Sequence, residues 1–312
     1  MGTEPPPTEA GWSLIVDPGS AGLRLDLFLT TRITRLSRAR AARLTVIDLD
    51  DPERVLKKSS TVRAGMRLWA RRPVPDEDVE PPAPTVLHID ADLLVLDKPA
   101  GLAVHPTASR FRATVTQWLA ERAALTGAPA AEPVHRLDVE TSGVLLCARH
   151  GLAARRLKAM FAAEQMHKTY RAVVEGHPPP RWTCALPLGF DAASAVRLKM
   201  GAGDQAAETD FETVARGRRR ALVEARPATG RQHQIRVHLA HGGFPIVGDK
   251  LYGPDEQLFL AHLDRALTGA EIARLGHVRH ALHAWRLAFE WRGEARVFEA
   301  PWPAELAALL DR

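Results

Sequence analysis

The chain has 312 residues, 46% of them hydrophobic, which is enough for one large or two ordinary domains with a sizeable core. Lys and Arg total 42 against 37 Asp and Glu, a net charge of +5, and that mild excess is compatible with a polyanionic partner. No stretch reaches the ~18 apolar residues that a membrane span needs. The two cysteines, Cys147 and Cys184, are far apart, which argues against a disulfide scaffold or a cysteine zinc site and fits a reducing cytoplasm.

Residues 1–11 are rich in Pro and Glu and read as a disordered tail, with no basic start or apolar run to make a secretory signal. Residues 12–72 form a small basic unit: up to residue 75 there are 13 Lys/Arg against 8 Asp/Glu, an excess equal to the charge of the whole chain. Residues 24–31 have helical spacing, with Leu25, Phe28 and Leu29 on one face. Ser37 can cap a second helix. Arg38, Arg40 and Arg43 project from it, either as a solvated face or as a phosphate-contacting one. Residues 73–84 hold five prolines and four acids, a stiff, extended linker where the domain boundary falls.

The large domain, residues 85–312, begins with strands at 86–89 and 93–96 around the turn Asp90-Ala91-Asp92. A helix is expected at 114–124, a buried strand at 144–148, an amphipathic helix at 152–165 and a strand at 170–174. Strands at 208–214 and 221–225 precede a helix that the Thr229/Gln232 capping-box pattern starts near residue 229. Strands at 282–291 and 295–298 and a helix at 304–310 close the chain. Strands and helices mix without regular alternation, which predicts an α+β fold with a largely antiparallel mixed sheet flanked by helices.

Four segments carry chemistry. His135-Arg136-Leu137-Asp138 with Thr141-Ser142-Gly143 places a carboxylate beside a fixed cation and a turn; Asp138 reads as a turn cap, a metal ligand or a nucleophile or base. In Thr229–Leu239, Arg231 falls in the expected first helical turn. A cation there opposes the helix dipole, so it points to a functional anion partner. His233, His238 and His241 match no metal-ligand spacing and read as packing residues. The Pro- and Gly-rich loop from Lys98 to Pro106, with His105, forms a turn or a ligand-facing wall. Tyr170, one of two tyrosines, opens a strand as core or as a flat stacking surface.

In this order, with Val247-Gly248-Asp249-Lys250 and Ala281-Leu282-His283, these segments resemble the RluA-type family of RNA pseudouridine synthases over residues 85–305. The resemblance implies an isomerase that acts on specific uridines of structured RNA, ribosomal RNA favoured and transfer RNA possible, with no cofactor or metal. It implies Asp138 as the catalytic aspartate, Tyr170 as the catalytic tyrosine that stacks on the flipped uracil and handles its C5 proton, and Arg231 as the basic partner of Asp138. Arg136 is implied to enter the RNA helix where the base has left. His135, Thr141, Lys98, His105 and Gln234 are expected to contact substrate. Residues 12–72 resemble the S4-like α/β RNA-binding domain that precedes such enzymes, with Arg38 and Arg40 on RNA. They depart from it at residues 45–51, where the usual glycine-bounded hairpin pattern is missing. The expected protein is cytoplasmic and monomeric. The alternative from another class is an RNA-binding or ribosome-assembly protein with secondary or lost catalysis.

Overall fold

The computed structural model describes residues 11–33, 36, 41, 44–71, 82–106 and 114–311. Ser37, Arg38, Arg40 and Arg43 lie outside the described residues, as do positions 73–81 of the Pro-rich segment. The chain divides into two compact units, residues 1–80 with 105–114, and residues 81–104 with 115–312.

The first unit holds strands β1 (Gly11–Ile15), β2 (Thr45–Asp48), β3 (Asp51–Val55) and β4 (Arg67–Arg71) in the antiparallel order β1-β4-β2-β3. Helix α1 (Leu25–Arg32) buries Leu25, Phe28 and Leu29 in a core with Val46, Leu68 and Ala70. Asp26 in its first turn complements the helix dipole and pairs with Arg24. Residues 45–51, which lack the glycine-bounded pattern, still turn back on themselves as the β2–β3 pair. The Asp48 carboxylate accepts the amide of Asp50 there, doing locally what a glycine turn does by conformational freedom.

The second unit is built on one large sheet. Its strands are β5 (Thr85–Ile89), β6 (Leu93–Lys98), β7 (Glu132–Pro133), β8 (Ser142–Ala148), β9 (His167–Glu175), β10 (Arg181–Cys184), β13 (Thr209–Arg216), β14 (Arg220–Pro227), β15 (Leu282–Trp291) and β16 (Glu294–Glu299). Their order is β10-β13-β14-β9-β15-β8-β6-β5, with β16 on β15 and β7 on β8. The β15–β8 pair is parallel and the others described are antiparallel, so the sheet is mixed and mostly antiparallel. A two-stranded ribbon, β11 (Leu188–Phe190) and β12 (Met200–Ala202), lies apart from it. Helices α2 (Val115–Thr126), α3 (Gly151–Ala162), α4 (Gln234–His241), α5 (Gln257–Asp264), α6 (Gly269–Leu275) and α7 (Ala304–Ala307) complete the unit. No helix among the described residues is long and apolar enough to cross a membrane.

Strand β8 is buried along its whole length because it has cover on both faces. Val144, Leu146 and Ala148 face the cluster under α3, with Leu157 and Met166, whereas Leu145 and Cys147 face the cluster under α2, with Leu102 and Leu119. This is the period-2 alternation of a strand read onto two cores. Its first residues come from the Asp138 motif. Gly143 has φ 113°, and a Cβ there would meet the carbonyl oxygen of Ala284 at 2.2 Å. The glycine is what allows β8 to run close beside β15, and that register brings the residues before β8 against those from 279 to 283.

Candidate active site

Three segments converge on a cleft of about 430 Å³: the loop between β7 and β8, the start of β9, and the turn into α4. Asp138 opens a turn that Thr141 closes by donating its amide to the Asp138 carbonyl. The loop is tied down from behind. Lys98 is fully buried and donates to the carbonyls of Pro99, Leu102 and Val139. Thr141 is bonded to His280, and Glu140 is held by Lys250 at 2.6 Å. These contacts fix the backbone on both sides of Asp138.

The cation that pairs with Asp138 is Arg236. Its Nη1 donates to Asp138 Oδ2 at 2.9 Å. Its Nε and Nη2 form a two-bond fork to Asp249 at 2.7 and 2.9 Å. Asp249 is itself set by the amides of Leu251 and Tyr252. An arginine held at two points by one carboxylate has little freedom left, so its third nitrogen presents a fixed charge to the second carboxylate. Arg231, the expected partner, is exposed at the rim of the cleft and donates to the Ala206 carbonyl instead.

Arg231 is left at the rim because of where the helix starts. The Thr229/Gln232 capping box does not form. The Thr229 hydroxyl donates to Gln234 Oε1, which also accepts the Arg231 amide, while Gln234 Nε2 donates to Glu208 and Thr209. The chain then passes through His233 in the left-handed region (φ 56°, ψ 15°), and α4 begins at Gln234. A non-glycine residue held there costs on the order of 1 kcal/mol. The cation in the first helical turn with an anionic partner is therefore Arg236, five residues further on.

Burial by itself would raise the Asp138 pKa, but His233 and His280, charged only at low pH, and Arg236 outweigh it and hold the carboxyl at about 2. Burial also lowers His233 and His280 to about 4. Both rings are neutral at pH 7, which leaves Arg236 as the operative cation there. Asp138 is thus ionised, and its Oδ1 has no hydrogen-bond partner among the described residues. The Tyr170 pKa is raised by burial and by the Asp138 charge, so its phenol stays protonated. His233 Nδ1 lies 2.8 Å from the Tyr252 hydroxyl, whose oxygen accepts the Met200 amide at 2.8 Å.

Of the other expected contact residues, Arg136 is exposed along the cleft. His135 lines it, but its Nε2 accepts the Leu146 amide and its ring stacks on Phe161. Thr141 and Gln234 also reach the cleft, with their polar groups committed to His280 and to the turn at 229–234. Lys98 is a buried strut behind the loop and not a substrate contact. A lysine at the end of an apolar strand is buried only where carbonyls converge on it, and the adjoining Pro-Gly loop supplies them. His105 belongs to the N-terminal unit. The sequence reads His233 as a packing residue and gives no individual role to Arg236, Asp249, Lys250 or His280, although all five lie in or beside the motifs.

His135, His233, His280 and His283 each have pKa values lowered by burial from 6.5 to about 4. As pH falls below 6.5 the unfolded chain therefore takes up protons that the folded chain refuses. The stability these neutral rings allow is complete above pH 6.5 and is lost on the way down to pH 4, at about 1.4 kcal/mol per pH unit for each ring. Denaturation midpoints should be level from pH 8 to 7 and drop steeply between pH 6.5 and 4.5. A level midpoint through that window would show that the rings are not buried as described.

Residues 92–241 match the family model described as RNA pseudouridylate synthase. An uncharacterized RNA pseudouridine synthase of Chloroflexus aurantiacus is 36% identical over 308 residues, 95% of this chain and 92% of the relative. The chain belongs to the RluA family of RNA pseudouridine synthases. The ribosomal large subunit pseudouridine synthase D of Xanthomonas campestris is 35% identical, with 95% and 91% of the two chains covered. Among solved structures, human RNA pseudouridylate synthase domain containing 4 matches with a TM-score of 0.58 and 28% identity, over 72% of this chain and 91% of that one. The protein is thus an isomerase that acts on RNA, converting uridine to pseudouridine.

Proposed function

We propose that Asp138 is the carboxylate that acts on a flipped-out uridine and that the substrate is large-subunit ribosomal RNA. The observation that carries the first part is the Asp138–Arg236–Asp249 array, with its ionised Asp138 at a cleft beside Tyr170. Pseudouridine forms when uracil leaves C1′, turns over and rejoins through C5. Base departure needs an unprotonated oxygen at the sugar, whether that oxygen attacks C1′ or removes a sugar proton. Arg236 keeps Asp138 unprotonated when RNA excludes water from the cleft. Nothing in the isomerisation is oxidised and no group is donated, so the chemistry runs on side chains alone.

Tyr170, neutral and partly buried, offers the ring face on which the extruded uracil stacks. Arg136, exposed at the cleft edge, fills the gap left in the RNA helix and offsets part of the few kcal/mol of unstacking. Arg231 lies at the rim as a phosphate contact. The ribosomal assignment rests on the names of relatives such as the Xanthomonas campestris enzyme. It is tested with C5-tritiated transcripts: release of tritium from a large-subunit RNA fragment is expected, and none from transfer RNA. Release from transfer RNA alone would overturn the assignment.

A further inference from the structure

The Asp138 carboxylate has a second polar neighbour whose purpose the isomerisation itself does not explain. His233 Nε2 lies 3.9 Å from Asp138 Oδ2. That is too long for a hydrogen bond. It is, however, a separation that one oxygen can bridge, sitting about 2.8 Å from each atom. The ring is held in place with some care. Its backbone is in the left-handed region, and its ring meets Tyr252 edge-on at 5.6 Å. The Tyr252 oxygen already accepts the Met200 amide, so its own hydrogen is left to donate. His233 Nδ1, 2.8 Å away, accepts that hydrogen. A neutral imidazole with Nδ1 accepting must carry its proton on Nε2. The N–H so fixed faces the cleft and has no hydrogen-bond acceptor among the described residues.

A group that fits between an N–H donor and a carboxylate has to accept from one and donate to the other. A hydroxyl does both; a carbonyl, an ether oxygen or a phosphate does only the first. Resting on the reading that Asp138 works at the sugar of the target nucleotide, the hydroxyl nearest C1′ is the ribose 2′-hydroxyl. We infer that His233 is a specificity-determining residue: its Nε2–H and Asp138 Oδ2 together hold the 2′-hydroxyl of the target uridine and select ribose over deoxyribose. Asp138 keeps Oδ1 for the reaction, and the hydroxyl fixes the sugar against it. The ribbon β11–β12 takes part at a distance, because Met200 supplies the amide that sets the Tyr252 hydroxyl. A site built to bond a substrate hydroxyl discriminates strongly against the analogue that lacks it, since its own polar groups are then left unpaired.

The experiment uses the full-length enzyme and an RNA that it converts, made with either uridine or 2′-deoxyuridine at the target position. The wild type should favour the ribonucleotide by about a hundredfold in kcat/KM. In His233→Ala that ratio should shrink by about tenfold, through loss on the ribose substrate alone. His233→Gln, whose amide can carry an N–H to the same place, should restore part of the ratio. Tyr252→Phe, which removes the hydroxyl that sets the tautomer, should lower the ratio severalfold and gives the answer if His233→Ala does not fold. An undiminished ratio in folded His233→Ala, or in Tyr252→Phe, overturns the inference. Failure of the underlying reading has a separate signature, namely turnover retained by Asp138→Asn.

Discussion

Asp138→Asn should lower turnover by at least ~10³-fold and leave both the fold and RNA affinity nearly intact. Asparagine has the shape of the carboxylate and none of its charge, so it can neither attack C1′ nor take a proton. Losing a positioned base or nucleophile costs ~10²–10⁴ in rate, and more when no other group can substitute. None can here: Glu140 is held by Lys250 and His280, Asp249 is enclosed behind Arg236, and Tyr170 is protonated. The fold should tolerate the change because Arg236 keeps its two bonds to Asp249. Single-turnover tritium release and a melting curve on the same preparation measure both quantities. Turnover within tenfold of wild type would remove Asp138 from the chemistry, whatever the stability.

Most of the architecture could be read from the chain because burial follows periodicity. The seven residues of β8 are apolar or small without alternation and are buried on both faces. The stripe of Ala153 and Leu157 faces the core of α3, with Met160 and Phe161 partly buried beside it. The helix expected at 114–124 runs from Val115 to Thr126. What periodicity could not give was how polar groups are partnered across distant segments. Arg236 sits among Ile235, Val237 and Leu239, so spacing alone makes it an interruption in a packed helix. Its partners come from 98 residues before it and 13 after it. Arg231 drew attention because the Thr229/Gln232 pattern looked like a helix start. The polar side chain of Gln234 competed for the same backbone and won, and the start moved. Lys98 misled for a related reason. A charged residue beside a proline-glycine loop suggests a ligand contact from sequence, whereas the loop's own carbonyls are the ligand.

The sharpest separation of scaffold from chemistry comes at Arg236. Arg236→Met should cost about 3–5 kcal/mol of stability, because Asp249 is enclosed and an unpaired buried charge is left behind. Turnover should also collapse, since burial then acts on Asp138 without its opposing cation and pushes its pKa up. Either effect alone is ambiguous. In the double variant Arg236→Met with Asp249→Asn, the orphaned charge is gone and most of the stability should return. Asp138 still lacks its cation, so turnover should not return. Arg236→Lys should keep more stability than Arg236→Met yet remain ~100-fold slow, because one ammonium cannot bind Asp249 at two points and reach Asp138 as well. Arg231→Ala provides the contrast. Its guanidinium bonds a carbonyl at the rim, so RNA affinity and its salt dependence should weaken while kcat changes less than threefold. A kcat that falls as far in Arg231→Ala as in Arg236→Lys would mean that the Asp138 pairing rearranges when RNA binds. The Asp138–Arg236–Asp249 array would then describe the free enzyme and not the reacting one.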